Sequence, residues 1–355
     1  MHLRLLIDGR SSTFTHLLAD RETREAVLID PVFEQAARDA ALVRELGLKL
    51  LYTLETHVHA DHVTGARRLR EALGSKIALA EAAGASGADL LLREGDSIHF
   101  GGCALSVLST PGHTDGCLSF VTRERDHVFT GDALMIRAAG RTDFQSGDAR
   151  RLYRSVHEKL FALPDGCVVH PAHDYAGRTI YTIGEERAHN PRLGGQSSED
   201  DFAGYMANLA LPHPNQIDVA VPANLRCGEP KGAMPPLGAE WGPALRSFAG
   251  VLEVAPAWLS EHLGEVCLLD VREPAEWNGE LGHIASALPI PLGELRARLG
   301  ELAPDRPVIA VCHSGARSAQ ASLILEQNGF AKSANLSGGM LAWRALGMPV
   351  VSTSR

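Results

Sequence analysis

The segment Thr56-His57-Val58-His59-Ala60-Asp61-His62 gathers three histidines and an aspartate directly after an apolar run that reads as a strand. Buried imidazoles without partners cost free energy, so ordinary core packing does not collect that many polar side chains in one place. Neutral imidazole and carboxylate are the donors expected around zinc, iron or manganese. On residue types alone, a loop here can turn His57 and His59 toward one metal while Asp61 and His62 face another side. His113 in PGHT, Asp132 in TGDAL and His173 in HPAHDY recur later, each after a strand-like run. Counting donors alone favours a dinuclear zinc hydrolase in which Asp132 bridges the metals.

A second chemistry is written at Cys312-His313-Ser314-Gly315-Ala316-Arg317-Ser318, between the apolar run Val308–Val311 and a helical pattern. A strand-to-helix turn aims backbone N–H groups and a helix N-terminus at one point. That field lowers a thiol's pKa and stabilises thiolate or a bound anion. The Cys-x-x-Gly-x-Arg pattern alone leaves two other readings open, a phosphatase-like turn and a buried structural cysteine.

The elements that must position these groups follow from periodicity. Ala26–Asp30 is an apolar strand ending in Asp-Pro, and residues 34–46 have helical spacing with Gly47 just past the end. Residues 49–56 form the next strand, and residues 63–73 a helix stopped by Gly74. From Lys76 to Thr130 the apolar segments are short and β-rich, residues 155–163 read as a helix, and residues 167–170 as a strand. The pattern suggests two sheets packed face to face with helices outside. Pro and Gly crowd the stretch from Pro222 to Pro243, which reads as a connector. A fresh β/α alternation follows, long enough for a small doubly wound domain. The expected organisation is a domain over 1–228, a connector over 229–250 and a second domain over 251–355.

Bulk properties bound the rest. A length of 355 residues favours two domains, and 45% hydrophobic with 22% charged residues is the composition of a globular protein. A net charge of −9 argues against nucleic acid or an anionic membrane as partner. No apolar run approaches the roughly 18 residues of a membrane helix, and the first residues lack the apolar core and cleavage site of a secretory signal. The six cysteines are scattered with no CxxC pair, which reads as free thiols in a reducing compartment; the expected location is cytoplasmic.

The His-x-His-x-Asp-His, His, Asp, His series resembles the metallo-β-lactamase superfamily, whose fold is an αββα sandwich. The stretches ETHVHADHVTGA, STPGHTDGCLSF, FTGDALMIRAAGRTDFQSGD, LYRSVHEKLFALPDGCVVHPAHDYAGRT, NPRL and IDVAVPANLRCG together resemble its persulfide dioxygenase branch, over nearly all of 1–228. The resemblance implies one Fe(II) per chain on His57, His113 and Asp132, with open positions for substrate and O₂. It implies that His59, Asp61, His62 and His173 orient the ligands or handle protons, and that Arg141, Tyr175, Arg192 and Asn224 contact glutathione. The implied reaction turns glutathione persulfide and O₂ into sulfite and glutathione.

Asp270-Val271-Arg272-Glu273, Trp277, Gly282-His283-Ile284 and Leu336-Ser337-Gly338-Gly339-Met340 with Trp343 resemble a single-domain rhodanese, a doubly wound α/β fold, over about Val251 to Val351. The six-member loop from Cys312 to Arg317 has the sulfurtransferase length. By this resemblance Cys312 takes a sulfane sulfur as a persulfide, the loop amides through Gly315 and Ala316 and the side chain of Arg317 hold the donor's anionic end, and His313 and Ser314 line the turn. Asp270 and Arg272 brace the fold. The implied exchange is between thiosulfate or sulfite and glutathione, and the superfamily likeness makes a homodimer the expected assembly. The main rival is a dinuclear zinc glutathione thioesterase of the glyoxalase II type carrying a sulfur-carrier domain. A docking-only second domain is disfavoured by its intact cysteine loop.

Overall fold

Side chains alternate across a strand, so two buried faces per strand mean a layer on each side. In the computed structural model, which describes residues 1–209, 211–212, 214, 216–229 and 241–351, that rule builds most of the architecture. The chain divides into two units, Met1–Leu237 and Gly238–Arg355.

In the first unit, β1 (His2–Asp8), β2 (Thr13–Ala19), β3 (Glu25–Ile29), β4 (Lys49–Leu54), β5 (Lys76–Ala80) and β6 (Leu90–Leu92) form one sheet in chain order. Its pairing is antiparallel to β3 and parallel from there on. β7 (Ser97–Phe100), β8 (Cys103–Ser109), β9 (Leu118–Thr122), β10 (His127–Gly131) and β11 (Val168–Pro171) form a second sheet, ordered β11-β10-β9-β8-β7. Leu18, Val27, Ile29 and Leu54 of the first sheet meet Leu105, Val107, Phe120 and Phe129 of the second in one core. The neighbours on each strand point the other way. Leu17, Ala26 and Leu28 pack on Ala40 and Val43 of helix Ala36–Glu45 and Leu69 of helix Ala66–Leu73. Val121, Val128 and Val169 pack on Leu152, Val156 and Leu160. Each such buried aliphatic side chain contributes about 1.5–3 kcal/mol, and the result is the expected αββα sandwich.

Two sequence expectations shift locally. The helix expected at 155–163 starts at Ala149, where Asp148 caps it by accepting from Arg151 N–H, and its last turn, Val156–Leu160, widens into a π-turn. Pro222, expected in the connector, stands inside helix Ile217–Asn224. There it has no N–H to offer the Asp218 carbonyl, so this short helix lacks one bond of its ladder.

The second unit is one sheet of β12 (Leu245–Arg246), β13 (Leu252–Val254), β14 (Cys267–Asp270), β15 (Leu288–Pro289), β16 (Val308–Val311) and β17 (Ser333–Leu336), ordered β12-β13-β17-β16-β14-β15. All its pairs are parallel except β12 with β13. On β16, Ile309 and Val311 face a core with Leu259, Met340 and Trp343, while Val308 and Ala310 face one with Ala321 and Leu325. Helices therefore cover both faces, as a doubly wound fold requires. Of the expected connector, 230–240 lie outside the described residues, and Leu245–Arg246 already pair with β13.

Candidate metal centre and cysteine loop

The donors sit where strands end. The loop after β4 carries His57 to His62, the β8–β9 loop carries His113, and Asp132 and His173 follow β10 and β11. Among the described residues these form two groups, His57 with His113 and Asp132, and His59 with Asp61, His62 and His173; within each, donor atoms lie within 4.8 Å of one another. The residue-type expectation that His57 and His59 share one metal is thus replaced by His57 with His113. A further group joins His59 to Asp30 and Glu55, because His59 Nε2 turns to Asp30 Oδ1 at 3.2 Å.

Proton placement in the first group follows from hydrogen bonding. Thr56 donates its hydroxyl to Asp30 Oδ2 at 2.8 Å, so toward His57 Nδ1, 3.0 Å away, it can only accept. His57 therefore carries its proton on Nδ1 and presents a lone pair at Nε2. His113 Nδ1 donates to the backbone carbonyl of Arg141 at 2.6 Å, which leaves its Nε2 equally bare. Burial, with His59 and His113 nearby, pushes His57 well below the ordinary imidazole range, so it stays neutral. Despite burial, contacts with His173, His57 and His113 hold the Asp132 carboxyl below its ordinary value. Two imidazole lone pairs and a carboxylate converge, a donor set that fits a divalent transition metal.

The second group is tied both to itself and to Asp132 of the first. His173 gives Nδ1 to Asp132 Oδ1 at 2.7 Å and Nε2 to Asp61 Oδ2 at 3.0 Å. Burial opposes charge there, but the two carboxylates hold His173 well above the ordinary imidazole range. His62 Nδ1 lies 3.0 Å from Asp61 Oδ2, while its Nε2 is buried without a partner.

Two residues pin the loop. Gln145 donates to Val58 O at 2.9 Å. Asn224 donates to His59 O at 2.9 Å and His62 O at 2.8 Å and accepts from Thr64 N–H at 2.8 Å. Two glycines make room. At Gly131 (φ +54°), a Cβ would lie 2.6 Å from Thr56 Oγ1; at Gly140, one would lie 2.6 Å from Asp132 O and 2.8 Å from His113 Cγ.

These candidate donors open into a cavity of about 950 Å³, lined by His57, Asp61, His62, His113, Asp132 and His173 and also by Arg10, Arg141, Tyr175 and Arg192. Three of the four residues expected to contact glutathione thus line one cavity. Asn224 does not: it is 4% exposed and its amide is consumed by the loop. The Arg141 guanidinium is paired with Asp143 at 2.6 Å and donates to Pro212 O and Leu211 O, and Arg192 donates to Ala139 O at 3.1 Å over the Tyr205 ring. Sequence reasoning missed Arg10, Thr56 and Asp30; only Asp30, in an Asp-Pro turn after a strand, carried a readable signal.

In the second unit, Cys312 follows β16, and its Sγ accepts from Gly315 N–H and the Ser318 hydroxyl, each at 3.2 Å. Burial works against ionisation, but Ser318 and the N–H groups of Ser318, Gly315 and Ser314 bring the thiol below its ordinary value. Burial raises each of the other five, Cys117 to about 12. Gly315 and Ala316 open helix Ala316–Gln327, whereas His313 and Ser314 are exposed. Asp270 and Arg272 form a fully buried pair at 2.6 Å, with Arg272 also donating to Gly282 O and Glu276 O, the bracing role expected of them. The Arg317 guanidinium is held by both Glu276 carboxylate oxygens, at 2.7 and 2.6 Å.

Residues 9–173 match the Metallo-beta-lactamase superfamily and residues 255–346 the Rhodanese-like domain. The chain is 56% identical over 227 residues to the mitochondrial persulfide dioxygenase ETHE1 of Mus musculus, covering 64% of this chain and 88% of that protein; its Homo sapiens counterpart gives the same figures. The chain belongs to the persulfide dioxygenase family. The crystal structure of ETHE1 from Myxococcus xanthus is 50% identical with a TM-score of 0.62, covering 64% of this chain and all of that one. A metallo-beta-lactamase from Staphylococcus aureus, 21% identical with a TM-score of 0.60, shares the fold over 95% of this chain and 98% of its own. Membership of the persulfide dioxygenase family, with a rhodanese-like domain on the same chain, places this enzyme in sulfur metabolism. No helix of the described residues is long and apolar enough to cross a membrane.

Proposed function

We propose that the chain oxidises glutathione persulfide with O₂ to sulfite and glutathione in its first domain (1–228) and transfers sulfane sulfur through Cys312 in its second (251–355). The observation that carries the first half is the convergence of two Nε2 lone pairs, fixed by Thr56 and by the Arg141 carbonyl, with the Asp132 carboxylate at the cavity floor. His57, His113 and Asp132 would hold one Fe(II) per chain, which when bound supplies a centre able to take a sulfur ligand and dioxygen together and to exchange electrons. The chain's own groups do the rest. His173, kept protonated between Asp132 and Asp61, orients the carboxylate and offers a proton at the cavity floor. The cavity accommodates a tripeptide thiol, and Arg10 and Arg192 offset its carboxylates, with Arg141 joining them when its pair with Asp143 opens. One water is consumed, so that the outer sulfur leaves as sulfite and the inner returns as glutathione thiol.

The second half rests on Cys312, the one thiol whose surroundings favour ionisation. Its thiolate attacks the sulfane sulfur of thiosulfate, the S–S bond breaks, and sulfite leaves with the bonding pair. Glutathione thiolate then attacks the Cys312 persulfide, giving glutathione persulfide and restoring Cys312. The product is the first domain's substrate. Six free thiols support a cytoplasmic setting.

The deciding experiment measures oxygen uptake with glutathione persulfide and metal content on the same preparation. Uptake with one iron per chain is expected; two zincs per chain, no uptake and cleavage of glutathione thioesters would overturn the reading. That rival has one observation in its favour, the buried and unpartnered Nε2 of His62.

A further inference from the structure

Arg317 is the guanidinium of the cysteine loop, yet its fork is closed. Nη1 and Nη2 meet the two oxygens of Glu276, the bidentate geometry that binds carboxylates most firmly. The Glu276 carboxylate is itself fixed, because Oε2 also accepts from Glu273 N–H at 3.1 Å in a reciprocal cap at the start of helix Pro274–Trp277. The other arginine nearby, Arg272, is buried and spent on Asp270. Both Glu273 and Glu276 act electrostatically on Arg317. Arg317 plus Glu276 is neutral, Arg272 plus Asp270 is neutral, and Glu273 is left over.

We infer that Glu276 tunes how readily thiosulfate loads Cys312: by occupying the Arg317 fork it raises the thiosulfate concentration the loop needs, because that donor's leaving group is the sulfite dianion, and it touches hydropersulfides, whose leaving group is a thiolate, far less. The inference rests on the sulfurtransferase reading of this loop. The chemistry differs only in the leaving group. With thiosulfate, Cys312 thiolate takes the sulfane sulfur and sulfite departs with the S–S pair; with a hydropersulfide, the same sulfur is taken and a thiol departs as thiolate. A sulfonate end needs a free cation to offset its charge, and here that cation is engaged until the pair opens. The amides of the loop remain for either donor.

The test is sulfur loading of Cys312 in the intact chain, followed by mass spectrometry as the gain of one sulfur atom, in single turnovers without dioxygen so that the first unit does not consume persulfide. Thiosulfate and glutathione persulfide are compared across concentrations. In Glu276→Gln, which keeps an acceptor for the helix cap, the half-saturating thiosulfate concentration should fall about threefold to fivefold, the scale of a partly exposed ion pair. The maximal rate should hold, and the value for glutathione persulfide should change less than about twofold. The thiosulfate rate constant should also become more sensitive to added salt, and Arg317→Ala in the Glu276→Gln background should erase the gain. Unchanged or weaker thiosulfate loading, or equal gains for both donors, would sink the role of Glu276 while leaving sulfur transfer intact. A wild-type Cys312 that takes up sulfur from neither donor would overturn the sulfurtransferase reading and this inference with it.

Discussion

His113 and Arg141 are joined through the backbone: the imidazole Nδ1 donates to the Arg141 carbonyl at 2.6 Å, while the side chain of the same arginine lines the cavity. One residue thus orients the His113 ring and lines the cavity that the ring faces. The turn that brings the carbonyl so close passes through Gly140, where a Cβ would lie 2.8 Å from the His113 ring. Gly140→Ala should therefore misaim His113 and lower metal affinity about 10–100-fold, the usual cost of disturbing a ligand's support. Metal titration of the apo-protein, with circular dichroism to confirm an unchanged fold, checks this.

Asn224 was expected to touch glutathione and instead clamps the metal loop from helix Ile217–Asn224. Asn224→Ala leaves two carbonyls and an N–H without partners in a buried place. A loss of about 3 kcal/mol in denaturant unfolding is expected. In protein that still folds, KM for glutathione persulfide should stay within about twofold, whereas a direct contact would raise it far more.

The Cys312 thiol ionises below the ordinary thiol range, so its alkylation by iodoacetamide should accelerate with rising pH and level off earlier than for a free cysteine. Ser318 donates to its Sγ at 3.2 Å. In Ser318→Ala the midpoint of that profile should move upward and the rate at neutral pH should fall severalfold. An unmoved midpoint would assign the effect to the backbone amides alone.

Arg272 and Asp270 show no side-chain exposure at all. Replacing Arg272 by Ala strands a carboxylate in the interior, which typically costs about 3–5 kcal/mol. Denaturation followed through sulfur transfer should show that loss, while metal content on His57, His113 and Asp132 remains that of the parent.

The layered fold was legible because β-strands declare both faces. On β2, Leu17 and Leu18 are both apolar and both buried, which already requires cover on each side. The ligand alphabet was legible too, since no core packing explains HVHADH. The grouping was not. On residue types alone, a loop after the strand was expected to turn His57 and His59 to one metal. Asp30, distant in sequence, draws His59 elsewhere. Glu276 was invisible for the same reason: its partner Arg317 lies 41 positions away, and only the folded chain brings them together. The start of the helix at Ala149 was missed because its polar cap, Asp148, precedes a first turn rich in arginine rather than an apolar stripe.

Thr56 never approaches the metal site with a donor of its own, yet its single hydroxyl proton, committed to Asp30, dictates which nitrogen of His57 is bare. Valine has the same shape and would fill the same space, but it cannot accept a proton-bearing nitrogen, so His57 would be released to either tautomer. Serine would preserve the arrangement. Position 56 is therefore constrained by grammar rather than by volume: a hydroxyl is obligatory there, and isosteric substitution is the wrong guide to what the site will tolerate.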